Sequence, residues 1–190
     1  MAINRRVFKD TVLLILELAG EKGIGAVKLN KCLLINDALY NALHGKSLTG
    51  TTYIKDKYGP VPDKEARDII SQMIEERDII ISKKKWSPGK EETNHALSPG
   101  FKVSKESFEA EEINRLSQVV ETIMKMSAEE LSKATHDYEY RITKDHEEID
   151  LSEIVSWKIE DASLSDDEYE KAKKTLEENI DEINNMVYST

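Results

Sequence analysis

Residues 27–43 read VKLNKCLLINDALYNAL, and this stretch decides the fold class. Leu29, Leu33, Asn36, Tyr40 and Leu43 recur at intervals of three or four, and Cys32 and Leu39 widen the stripe. That spacing predicts a helix from near Val27 that stops at Gly45. Toward the N-terminus, Val7, Thr11, Leu14 and Leu18 share one face of a helix from about Arg5 to Glu21, which Gly20, Gly23 and Gly25 close. Toward the C-terminus, Ser47 to Tyr58 mixes threonine, tyrosine and isoleucine around Gly50 and reads as a loop with a short extended piece. Gly59-Pro60-Val61-Pro62 predicts a rigid turn, because each proline fixes φ and removes a backbone donor. Pro62 then suits the first turn of a third helix, with Ala66, Ile69, Ile70, Met73 and Ile74 on its core face. Ile79-Ile80-Ile81 is β-branched and opens a strand. Lys83-Lys84-Lys85 to Thr93 reads as an exposed hairpin tip holding Pro88 and Gly89, with a return strand near His95 to Leu97.

Farther along, helix start signals recur. A helix from about Ser107 carries Leu116, Val119, Val120 and Ile123 on one side. Ser127 followed by Glu130, and Ser165 followed by Glu168, are capping boxes, in which serine accepts from a free amide and glutamate reaches back. The helix opened at Ser165 carries Tyr169, Ala172, Leu176, Ile180, Ile183 and Val187 as one stripe, to be buried on the body, on a partner or on a second copy in a homodimer. The expected architecture is mainly α with a small antiparallel β-hairpin. Residues 1–160 form one helical domain, and 161–190 an acidic amphipathic helix packed on it or on a partner.

A chain of 190 residues can bury a sufficient core without a staple, and its single cysteine, Cys32, forms no internal disulfide. Cys32 lies in an apolar run and reads as an inert core residue. Val12 to Leu16 is far too short to span a membrane, and neither a signal peptide nor a transmembrane stretch is visible, so a cytoplasmic protein is expected. The net charge of −10 is uneven. Residues 1–105 carry 18 Lys+Arg and 13 Asp+Glu, whereas residues 106–190 carry 9 and 24. The acidic half repels nucleic acid and favours basic partners, or simply keeps a helix face solvated.

Convergent chemistry is missing from the sequence. His44, His95, His136 and His146 form no HExxH and no Cys/His pair with metal-ligand spacing. No Walker loop, GxGxxG or GxSxG occurs, and adjacent residues such as His136 and Asp137 point apart on a helix. The chain is therefore read as a non-enzyme without metal or cofactor. The three helices and a hairpin tipped with Lys83, Lys84, Lys85 and Trp86 could pass for a winged helix. The third helix, however, sets Asp63, Glu65, Asp68, Glu75 and Glu76 against Lys64, Arg67 and Arg77, the wrong bias for a groove reader.

Lys28-Leu29-Asn30-Lys31-Cys32-Leu33-Leu34 followed by Asp37 and Tyr40 resembles the KLxKLLYxAD helix of the Panacea domain, found in SocA-like, phage-associated antitoxins. Gly45, Thr49 and Tyr53, then Tyr58-Gly59-Pro60-Val61, match that family's glycine, threonine-containing extended segment and GPV turn. Ser127, Glu130, Leu131, Thr135 and His136 match a helix that starts S-x-x-E-L and ends in TH. The similarity runs over roughly residues 5–140. It implies an antitoxin that neutralises a cognate toxin by direct contact and carries no catalytic residue. A protease adaptor that delivers a bound partner, and a winged-helix-like regulator of its own operon, are the alternatives. Tyr53, Tyr58, Gly59, Pro60, Val61 and His136 are the candidate partner-binding residues, each with a structural reading beside it. The tyrosines can pack on the core, Gly59 and Pro60 can fix turn geometry, and Thr135-His136 can cap a helix end.

Overall fold

The computed structural model describes residues 2–57, 59–87, 90–127, 130–131 and 143–154. Its order is α1 (Arg5–Ala19), β1 (Ile24–Gly25), α2 (Ala26–His44), β2 (Tyr53–Ile54), β3 (Val61–Pro62), α3 (Lys64–Glu75), β4 (Ile79–Ser87), β5 (Lys90–Leu97), α4 (Ala110–Lys125), β6 (Glu148–Ile149) and α5 (Leu151–Ile154). The result is a mainly helical α+β fold with two small antiparallel sheets.

The helices start where their caps dictate. Asn4 accepts from the Val7 amide at 3.3 Å and opens α1. The helix expected near Ser107 begins at Ala110, where Glu109 and Glu112 form a reciprocal capping box. The Ser127–Glu130 box is also present: Ser127 N–H donates to Glu130 Oε2 at 2.7 Å, and Glu130 N–H to Ser127 Oγ at 3.1 Å. Gly45 ends α2 in the left-handed region, with φ at 67°, where a side chain would be strained.

The core forms where α2 packs on α1, α4 and α5, and α1 on α3 and α4. Phe8, Val12, Leu14, Leu29, Leu33, Ile69, Met73, Leu116 and Ile123 belong to one buried cluster. Leu29 and Leu33 are core residues, as read, and so is Cys32, whose thiol burial pushes far above its ordinary range.

Two local expectations are corrected. Pro62 does not sit in the first turn of α3. With Val61 it forms β3, which pairs antiparallel with β2 (Tyr53↔Pro62, Ile54↔Val61). Asp63 is the cap, accepting from the Ala66 amide at 2.9 Å. Thr52 Oγ1 donates to the same carboxylate at 2.8 Å, so an acidic cap with a loop partner outcompetes proline for the boundary. Lys83, Lys84 and Lys85 are not at a hairpin tip either. They lie inside β4, opposite Thr93, Glu92 and Glu91. The Lys83 ammonium lies 3.7 Å from the Glu91 carboxylate on the neighbouring strand, a favourable charge pair within the ladder.

Two strand pairings have no counterpart in the sequence reading. β1 joins the far side of β5 (Ile24↔His95, Gly25↔Asn94), giving the order β1-β5-β4. β6 joins β2 (Tyr53↔Ile149), giving β3-β2-β6. Gly23 makes the first approach possible: a Cβ there would come within 2.3 Å of the His95 carbonyl oxygen. The 161–190 segment, the boundary near residue 160, and His136 lie outside the described residues.

His95 is buried in the central strand, with its ring hydrogen-bonded to the Ile24 backbone and Nδ1 unpartnered. Burial is the main cause that lowers its pKa from 6.5, against that hydrogen bond. The folded chain therefore keeps this ring neutral to lower pH than the unfolded chain does. Its contribution to stability is present above the unfolded value and is lost as pH falls through the folded one. Urea unfolding of wild type and His95→Gln at about pH 7.5 and pH 5.8 checks this. Wild type should lose stability relative to the variant on acidification, and a pH-independent difference would exclude the assignment.

Candidate functional site

Few surface residues of α2 separate cleanly from its core residues, because apolar side chains surround most of the helix and neighbours pack on several sides. Its charged residues consequently need partners inside the protein. Lys31 is 1% exposed, and its ammonium donates to the Pro60 carbonyl at 3.0 Å. Asp37 is fully buried. Its Oδ1 accepts from the Thr49 amide at 3.0 Å, and its Oδ2 accepts from Thr49 Oγ1 at 2.5 Å and from Tyr53 Oη at 2.8 Å. Lys28, one turn earlier, donates to the Met124 carbonyl at 3.0 Å, at the C-terminal end of α4 where a cation is favourable.

Burial holds the Asp37 pKa above its ordinary value, against the opposing hydrogen bonds from Thr49, Tyr53 and Ser47. Tyr53 is held well above the ordinary phenol range, first by its own burial and then by the Asp37 charge. Thr49, Tyr53 and Asp37 satisfy one another, so the cluster anchors the segment after α2 to the helix.

The anchor positions four of the sequence-predicted site residues. Tyr53 is the largest fully buried side chain among the described residues, so its place is in the core. Gly59 and Pro60 are buried, and Gly59 takes a φ of 100° and donates to the Asp56 carbonyl at 2.9 Å. Val61 is half-buried and pairs with Ile54. Tyr53, Gly59, Pro60 and Val61 thus come together around β2 and β3, whereas Tyr58 and His136 lie outside the described residues. The sequence reading noted Lys31 and Asp37 only as motif letters and missed their roles. The available signal was their charge on a helix too apolar to offer them a solvated face.

An open groove of about 510 Å³ lies between the N-terminus, the loop after α2 and the start of α4. Tyr40, Lys46, Glu106, Glu109 and Glu112 contribute to its polar wall. Among the described residues no group of three metal-ligating side chains converges, and no helix is long and apolar enough to cross a membrane.

The anchor makes a graded prediction. Tyr53→Phe keeps the ring and deletes one hydrogen bond to a buried carboxyl, and should cost about 1–3 kcal/mol. Asp37→Ala strands the Thr49 amide, the Thr49 hydroxyl and the Tyr53 phenol together, and should cost more, about 2–5 kcal/mol. Urea denaturation measures both. Equal stability of Tyr53→Phe and wild type would show that the phenol–carboxylate bond anchors nothing.

Comparison with curated proteins and with solved structures finds no match. A family model described as antitoxin SocA-like, Panacea domain, matches residues 29–141, more than half of the chain. That span holds Lys31 with Pro60, and Asp37 with Thr49 and Tyr53, the two sets of hydrogen bonds described above. The chain belongs to the SocA-like antitoxin family, through its Panacea domain.

Proposed function

We propose that this protein neutralises a cognate toxin by direct, stoichiometric protein–protein contact, without a catalytic step. Membership of an antitoxin family across residues 29–141 carries this reading. The buried anchor supports it, since the polar groups that draw attention in the sequence are spent on holding the loop after α2. The partner is a protein toxin, met in the cytoplasm. Tyr58, Val61 and His136 are the proposed contacts from the sequence set. Gly59, Pro60 and Tyr53 contribute by fixing the turn and strand that carry Val61.

Co-expression with the protein encoded beside it tests the reading. The neighbour alone should arrest growth, this chain should restore it, and the two should co-purify in a fixed ratio. A harmless neighbour, or rescue without a complex, rejects direct neutralisation. Alanine at Tyr58 or His136 should weaken the complex by about tenfold or more while leaving the melting temperature unchanged.

A further inference from the structure

Among the described residues, the longest strand at a sheet edge is β4. β4 is the terminal strand of β1-β5-β4, and no other described strand pairs with its outer side. Among the described residues, the exposed large hydrophobics are Ile80 and Ile81, at 46% and 51%. Successive strand residues point to opposite faces, so these two isoleucines flank the edge from both sides. A partner lying flat on one face of the sheet covers only one of them. A strand added at the edge contacts both.

The backbone points the same way. Ser98 N–H donates to the Asp78 carbonyl, which marks that pair as the hydrogen-bonded kind in an antiparallel ladder. Alternation along the register then turns the amides and carbonyls of Ile80 and Ser82 toward β5, and those of Ile81 and Lys83 outward. The register shift between Lys85 and Ser87 ends the regular edge.

The edge is also graded in charge. Three isoleucines are followed by Lys83, Lys84 and Lys85. Lys83 stays 75% exposed, although Glu91 lies 3.7 Å away. A second copy of this strand would bring three more lysines and no carboxylate. An antiparallel segment with acidic residues first and β-branched apolar residues after them matches both halves. We infer that the outer edge of β4 is a docking site for such an extended acidic-to-apolar segment of a partner protein, added as a further strand. The inference rests on the protein-binding reading above and specifies one surface that serves it.

A fluorescent synthetic peptide in which acidic residues precede alternating valine and threonine serves as the probe, with a lysine-for-acid version as control. Anisotropy should show binding of the acidic peptide alone, weakened between about 50 and 500 mM salt. Hydrogen exchange gives the backbone signature. The Ile81 and Lys83 amides should exchange fast in the free protein and become protected with the peptide, while Ile80 and Ser82 are protected throughout. Ile81→Pro removes an outward donor and spares the β5 ladder, and should weaken binding by about tenfold or more. Lys83→Glu should weaken it too and leaves every backbone donor in place, so a folding defect in the proline variant does not decide the outcome. Several results overturn the inference: no peptide binding, equal binding of the basic control, displacement by duplex DNA, unchanged affinity in both variants, or an edge-dependent dimer seen by sedimentation. If co-expressed toxin is neutralised equally well by both variants, the edge fails and the antitoxin reading stands. If no toxin is neutralised but the peptide protects Ile81, the edge stands alone.

Discussion

The burial of Lys31 and Asp37 on α2 is the constraint on which the rest of the structure depends. An ionisable group taken out of water costs several kcal/mol unless hydrogen bonds replace its hydration. Each of these two meets that demand by seizing backbone or hydroxyl groups from the segment between α2 and α3. A stretch that would otherwise be a free loop is thereby tied to the core at Thr49, Tyr53 and Pro60. Its geometry then follows. β2 lies where Tyr53 reaches Asp37, β3 lies where the Pro60 carbonyl reaches Lys31, and Asp63, fixed next to β3, starts α3.

The same arrangement separates what identifies the family from what recognises a partner. The motif letters resembling the Panacea helix point inward: Lys28 to the end of α4, Lys31 to the turn, Asp37 to the threonine and tyrosine. Tyr40, by contrast, is half-buried and lines the open groove. A scaffold whose diagnostic residues are committed to its own interior is free to vary its exterior.

Helices and hairpin were legible because each carries its own period. Leu29, Leu33 and Leu43 mark a helical face, and Ile79 to Ile81 mark a strand, without help from distant residues. Strands of two residues carry no period. Ile24-Gly25 becomes β1 only because His95 and Asn94 come alongside, and Val61-Pro62 becomes β3 only because Tyr53 is anchored. The boundary at Asp63 was hidden for the same reason, since the Thr52 hydroxyl that reinforces the cap is invisible to a local reading. At the candidate site, Gly59 and Pro60 fall in a turn as their types suggest, whereas Val61 and Pro62 leave it as β3. Burial of Tyr53 and the roles of Lys31 and Asp37 depended on α2 being packed on several sides at once, a fact of tertiary structure.

The pairing of β2 with β6 has a consequence for biosynthesis. Tyr53 meets Asp37 soon after both leave the ribosome, because few residues separate them. Ile149 and the residues that fasten Lys55, through the Glu147 and Thr143 carbonyls, are translated much later. At about 5–20 residues per second, the outer side of β2 stays unpaired on the nascent chain for roughly 5–20 s. A product truncated before Ile149 thus lacks the strand that pairs with this side of β2.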